Sequence, residues 1–214
     1  MSCCSGCNAV EREFDRVVAE RDLKRFLSRG PDATTQKMLA AIREAPRPAE
    51  ATLLDIGGGI GVMHHVLLGQ GYTRATHVDG SSAYLAVAAT ETNRRGDADR
   101  VNFRHGDFHA LAATVEAADL VTLDRVVCCD PDGVGLLAAA ADNTRRLLAF
   151  SFPRARWYNR AVVALANGWR RLWRHPFRAY IHSPIAMSAA LEHAGLRRRW
   201  SGGNWIWSVE LFER

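Results

Sequence analysis

The chain has 214 residues, 48% apolar and 24% charged, with a formal net charge of +5. That length holds one domain with a full core and a small appendage, and the composition excludes a disordered or fibrous chain. No apolar run approaches the roughly 18 residues that cross a bilayer, and the opening residues lack the pattern of a secretion signal, so the expected compartment is the cytoplasm.

Five cysteines, Cys3, Cys4, Cys7, Cys128 and Cys129, are an odd number in a reducing compartment. They read as buried, metal-binding or reactive rather than disulfide-bonded. Charge is uneven: from Asn143 to Leu191 there is no Asp or Glu, while Arg145, Arg146, Arg154, Arg156, Arg160, Arg170, Arg171, Arg174 and Arg178 all fall within it. Such a segment attracts an anionic small molecule, lipid headgroups or nucleic acid, or is simply a solvated basic face.

Apolar residues at helical spacing predict helices over 11–29 (Phe14, Val17, Val18, Leu23, Phe26, Leu27) and 34–45 (Met38, Leu39, Ile42). The linker APRPAEA at 45–51 separates this N-terminal helical cap, 1–48, from a second unit, 49–214. TLLDI then reads as a buried strand, GVMHHVLLGQG as a helix ended by Gly71, and ATHVD as a strand. SSAYLAVAATETNRRG reads as a helix capped by Ser81 or Ser82, and RVNFRHGD as a strand.

DLVTLD is the next strand, GVGLLAAAADNT a helix and RRLLAFSF a strand. Helix-like stretches at 155–174 and 184–194 follow, the first within an insertion around 152–183. Strand-like runs at 196–201 and 204–212, joined by Gly202 and Gly203, close the chain as a hairpin. Alternating strands and helices predict an α/β, Rossmann-like fold: a mostly parallel seven-stranded sheet with helices on both faces and a C-terminal antiparallel hairpin.

The stretch LLDIGGGIG follows a strand and opens a helix, the place where such sheets bind ligands. A dinucleotide loop needs its third glycine where Val62 stands; here the glycines are Gly57, Gly59 and Gly61. Asp55 adds negative charge beside the loop, which disfavours a pyrophosphate and suits a positively charged ligand. Asp79, Asp107 and Asp124 then end or follow successive strands.

The spacing D-x-G-x-G-x-G resembles the first motif of class I S-adenosylmethionine-dependent methyltransferases. The resemblance implies S-adenosyl-L-methionine as cofactor, with Asp79 accepting the ribose hydroxyls and Asp107 contacting the adenine amine beside Phe108. Gly80, Ser81 and Asp124 complete the implied cofactor set. LLAFSFPRARWYNRAV and RAYIHSPIAMSAALEHAG resemble the C-terminal half of magnesium-protoporphyrin O-methyltransferases, which methylate a propionate of a tetrapyrrole and associate with membranes. Where that family shows a histidine, an aromatic residue and proline, this chain has Cys128 and Cys129, with Asp130 before Pro131.

The implied activity is methylation of a small molecule, with carboxylate O-methylation of a planar or tetrapyrrole-like acid as the leading case. Arg125, Arg154 and Arg178, or Arg156, hold a carboxylate; Trp157, Tyr158, Trp169 and Trp173 stack on a ring. Cys128, Cys129 and His182 are the catalytic candidates. Should the N-terminal cysteines reach Cys128 and Cys129, soft thiolates suit zinc, copper(I) or a trivalent metalloid, although Cys4-x-x-Cys7 has no second pair at zinc spacing and no resident metal is expected.

Thiol or metalloid methylation is therefore one alternative. A nucleic-acid methyltransferase is another, disfavoured because the fourth strand lacks an Asn/Asp-Pro-Pro-aromatic motif. A third is an inert cofactor-binding protein resting on a membrane surface through NGWRRLWRHPFR. The oligomeric state stays open.

Overall fold

The computed structural model describes residues 5–214. It opens with helices α1 (Ser5–Glu13), α2 (Arg16–Arg29) and α3 (Ala33–Arg43). The single helix expected over 11–29 is two, because Asp15 leaves helical geometry and its carboxylate accepts the Val18 N–H as the cap of α2. A short acidic side chain competes for backbone donors in this way, and apolar spacing conceals it.

The sheet region follows as β1 (Thr52–Ile56), α4 (Val62–Leu68), β2 (Arg74–Asp79), α5 (Ser82–Arg95), β3 (Val101–His105) and the one-turn helix α6 (Phe108–Leu111). Next come β4 (Ala118–Leu123), α7 (Gly133–Asp142), β5 (Thr144–Pro153), α8 (Trp157–Leu172), α9 (Pro184–His193), β6 (Arg197–Gly203) and β7 (Trp207–Glu213). The strand order is β3-β2-β1-β4-β5-β7-β6. β1 to β5 pair in parallel, and β7 runs antiparallel to both β5 and β6.

Two boundaries differ from expectation. α4 stops at Leu68 with Gly69 as its cap, and Gly71 belongs to the turn beyond. Gly202 and Gly203 stay inside β6, and the hairpin turns at Asn204, whose side-chain oxygen accepts the N–H groups of Ile206 and Trp207. An asparagine that mimics a backbone turn displaces the glycines from that task.

Alternation along β1 divides the core. Leu54 and Ile56 pack with Val121, Leu123, Leu148 and Phe150 beneath α7 and α9. Leu53 packs on the other face with Leu120, Met38 and Leu39 of α3 and Leu67 of α4. Each such side chain contributes about 1.5–3 kcal/mol on burial, so α3 covers the sheet itself. A third cluster joins Ala19 and Phe26 of α2 to Ile60 and Tyr84, which seats the N-terminal helices over the carboxyl ends of the strands.

Candidate active site

The loop after β1 has Gly57, Gly59 and Gly61 at φ of 60°, 57° and 85°, a region that side chains avoid. Gly59 donates its N–H to Asp79 Oδ2 at 2.8 Å, and Ser81 donates its N–H to Oδ1 at 2.8 Å. Asp79 therefore ties the end of β2 to the glycine loop. Burial raises its pKa, while these two hydrogen bonds pull the other way.

Asp55 has a different setting. Sheet register places it beside His77 of β2 and Thr122 of β4, with Phe103 of β3 next in the row. Thr122 donates its hydroxyl to Asp55 Oδ1 at 2.8 Å; Oδ2 lies 3.9 Å from His64 Nδ1 and has no hydrogen-bond partner. His64 reaches from α4, its Nδ1 3.0 Å from His77 Nδ1 and its Nε2 3.2 Å from Thr92 Oγ1.

Burial pushes the Asp55 carboxyl up to about 7, and holds His77 down at about 3, His65 at about 4 and His64 well below its ordinary value. A Cβ on Gly58 would stand 2.6 Å from Asp55 Oδ2 and 2.7 Å from His77 Nδ1, so the loop sits directly on this cluster. Asp55 supports the loop from below; at 1% exposure it does not present its charge to an open pocket.

At the end of β3, Asp107 caps α6 by accepting the His109 N–H at 3.0 Å. Phe108 is buried in the core with Val78 and Val121, so its ring underlies the rim. The N-terminal arm crosses above. Glu11 accepts the Ser82 N–H and hydroxyl at 3.1 Å each, Ser81 donates its hydroxyl to the Phe14 carbonyl at 2.7 Å, and Val10 rests on Gly80. On the far side Glu13 pairs with Arg170 of α8, and the Phe14 ring meets Tyr84 and Phe177 edge-on. Sequence reasoning missed Glu11, Glu13, Phe14 and Tyr84 because no local motif marks contacts made across the mouth of a site.

After β4, Asp124 accepts the hydroxyls of Thr35 and Ser151 at 2.5 and 2.6 Å, joining α3, β4 and β5. Arg125 is left-handed at φ 61°, a strained conformation for a side chain of this size. It is held there by its N–H to Ser151 Oγ at 2.8 Å and by its guanidinium on Asp32 at 2.6 Å. That pairing occupies the group expected to meet a substrate.

The turn Val127–Cys129 follows. Both thiols point at the Arg125 carbonyl, 3.5 Å from each sulfur, and the sulfurs are 3.9 Å apart. Their mutual hydrogen bond holds the Cys128 thiol below its ordinary range and raises that of Cys129. His182 Nε2 is 2.9 Å from the Asp130 carbonyl and so braces this loop. Cys3 and Cys4 lie outside the described residues, and of Cys7 only the backbone, in α1, is described.

The remaining candidates gather at the end of β5. Arg154 Nε donates to the Asn204 carbonyl at 2.7 Å, and the Tyr158 hydroxyl donates to the Trp205 carbonyl at 2.6 Å. With Lys37, Arg156, Trp157 and Trp205 they line an open groove of about 670 Å³. Arg178 is not among them; its guanidinium donates to the His175 and Phe177 carbonyls.

Residues 53–149 match the family model of a methyltransferase domain. These residues form a methyltransferase domain. No curated protein sequence matches the chain, but solved structures share the fold over nearly its whole length. A magnesium protoporphyrin IX methyltransferase from Synechocystis PCC 6803, with bound S-adenosylhomocysteine, is 18% identical at a TM-score of 0.70, covering 97% of this chain and 99% of that one.

The complex of the Haloferax volcanii Trm112 methyltransferase activator with a putative methyltransferase matches at 18% identity and TM-score 0.69, covering 95% and 96%. An O-methyltransferase family protein from Burkholderia thailandensis matches at 17% and 0.69, covering 96% and 63%. The residues at the strand ends fit S-adenosyl-L-methionine: a glycine loop without side chains in the way, and carboxylates at the ends of successive strands.

Proposed function

We propose that this methyltransferase transfers its methyl group to a carboxylate of a planar, tetrapyrrole-like acid. What carries the reading is the groove at the end of β5, where Lys37, Arg154 and Arg156 stand among Trp157, Tyr158 and Trp205. Cations around a flat aromatic wall suit a flat anion. None of the residues lining the groove is acidic. The likeness to a magnesium protoporphyrin IX methyltransferase points the same way.

The cofactor supplies an electrophilic methyl on a sulfonium. The protein's share is to orient the acceptor in line and to exclude water. An ionised carboxylate is already a nucleophile, so His182 serves as a brace and no base is required. The arm formed by α1 and the start of α2 closes over the cofactor loop and keeps solvent out. Transfer of labelled methyl to a panel of planar carboxylic acids, tetrapyrroles included, tests the reading. Arg156→Ala should raise KM about tenfold with kcat little changed, and methylation of no carboxylate in the panel would remove it.

We also propose that α8 rests on an anionic lipid surface. Trp157, Val162, Leu165, Trp169 and Leu172 are exposed on it and Trp173 just beyond its end, beside Arg160, Arg171 and Arg174. No helix among the described residues is long and apolar enough to cross a membrane, which leaves contact in the plane of the surface.

A further inference from the structure

Beneath the glycine loop, polar groups from three segments converge without satisfying one another. Asp55 of β1, His64 of α4 and His77 of β2 are all buried, and one ligand-type atom of each lies within 4.8 Å of the other two. Strand register and the turn into α4 bring them together, so no spacing along the chain marks the group.

Proton positions follow from the outer partners. The Thr92 hydroxyl donates to the Ala88 carbonyl at 2.8 Å, so its oxygen accepts from His64 Nε2 at 3.2 Å. His64 Nε2 therefore carries the hydrogen of the neutral ring. Its Nδ1 presents a lone pair, 3.0 Å from His77 Nδ1 and 3.9 Å from Asp55 Oδ2. His77 meets that lone pair with an Nδ1–H, but nothing meets Asp55 Oδ2, which is buried without a hydrogen-bond partner. Buried acceptors of this kind are nearly always paired. A cation among the three atoms satisfies them together.

The chemistry of the donors narrows the cation. Two imidazole nitrogens and a carboxylate oxygen suit a divalent transition ion such as zinc, whereas calcium and magnesium favour oxygen ligands. Ligand atoms about 2.0–2.1 Å from a tetrahedral zinc stand about 3.3 Å apart, and the separations of 3.0 and 3.9 Å lie on either side of that value. The outer contacts are also those of a metal centre: His64 gives its remaining N–H to Thr92, and Thr122 holds the other Asp55 oxygen at 2.8 Å. Gly58 makes room, since a Cβ there would stand 2.6 Å from Asp55 Oδ2 and 2.7 Å from His77 Nδ1.

We infer that Asp55, His64 and His77 form a buried site for one zinc-type ion, which ties β1, β2 and α4 together under the glycine loop. On binding, His77 moves its proton from Nδ1 to Nε2, the ionised Asp55 carboxylate coordinates, and a water takes the fourth position. The site uses no cysteine and does not rest on the methyl-transfer reading. With the ion removed, Asp55 and His77 titrate as free groups.

The test refolds the full chain from urea with one equivalent of cobalt(II) or zinc(II), because a site this buried fills as the chain folds. Cobalt should give the visible bands of a tetrahedral nitrogen–oxygen site without a thiolate charge-transfer band, and zinc should displace it one for one. Thr92→Val removes the outer partner of His64 but no ligand, and should weaken zinc about 10–100-fold in competition with a chromophoric chelator. His64→Gln and His77→Gln should abolish the cobalt spectrum. His109→Gln, in the separate group of Asp107, His109 and Asp130, should leave it unchanged. If a replacement at His64 or His77 fails to fold, Thr92→Val and the spectrum of the parent chain decide. No bound metal, a thiolate band, unchanged affinity in Thr92→Val, or loss of binding in His109→Gln each overturns the inference.

Discussion

Glu13 at the end of α1 and Arg170 near the end of α8 meet at 2.5 Å, with both side chains about a quarter exposed. His175 Nδ1 lies 3.6 Å from the same carboxylate, and the Arg170 guanidinium covers the Phe177 ring. Together with Glu11 on Ser82, this contact latches the N-terminal arm on both sides of the cofactor loop. Glu13→Gln should release the α8 side. A charge-assisted hydrogen bond in such a setting is worth about 1.5–3 kcal/mol, so S-adenosylhomocysteine should dissociate roughly tenfold or more faster by stopped-flow fluorescence. An unchanged dissociation rate would show that the arm is not a latch.

Asp79 and Gly59 argue for a second effect at the same loop. Asp79→Ala removes the acceptor of two backbone N–H groups, those of Gly59 and Ser81. Each donor left unpaired costs about 1–3 kcal/mol. The variant should lose stability in urea as well as cofactor affinity, whereas a residue that only touched ribose would lose affinity alone. Equal urea midpoints for variant and parent would refute the structural half of this role.

Beneath the loop, Asp55 and His77 should tilt the pH dependence of stability in opposite directions. The folded Asp55 carboxyl titrates at about 7 against 3.8 for the ordinary group, so the folded chain holds its proton across that window. The resulting stabilisation is present at low pH and is lost as pH rises through 7. His77 titrates at about 3 against 6.5, and its contribution is present above 6.5 and lost as pH falls. Relative to wild type, Asp55→Asn should gain stability from pH 4 to 7 by about 1.4 kcal/mol per pH unit, and His77→Gln should lose stability over 4 to 6.5 at a similar slope. Urea titrations at five pH values measure both; parallel profiles for the two variants would mean that the cluster does not titrate on unfolding.

The parts of this site that were legible in the sequence are those carried by local pattern. Alternation of strands and helices fixed the sheet, and glycines at Gly57, Gly59 and Gly61 marked its loop because backbone conformation there depends on neighbouring residues alone. Asp55 looked like a ligand residue from its position in the motif. Only cross-strand register reveals that its neighbours are Thr122 and His77, a property of pairing between distant segments. Arg125 and Arg178 were legible as charges but not as already occupied ones, since Asp32 and two backbone carbonyls reach them through tertiary packing. Cys128 and Cys129 were visible as a pair, and their common orientation follows from the left-handed Arg125, which no propensity favours.

The outer face of α8 sets the last expectation. Leu165 is 77% exposed and Trp169 64% exposed, about one helical turn apart on the same face. Covering such a patch with lipid recovers roughly 25 cal/mol for each Å² of apolar surface removed from water, and nearby arginines add about 1 kcal/mol each on an anionic surface. Leu165→Asp should therefore abolish flotation with phosphatidylserine-containing vesicles, and Arg171→Glu should weaken it in a manner that salt accentuates. Neither residue lines the groove at β5, so methyl transfer to a water-soluble acceptor should stay within twofold of wild type. Equal flotation of both variants with the parent, or none by the parent at low salt, would assign the face to some other contact.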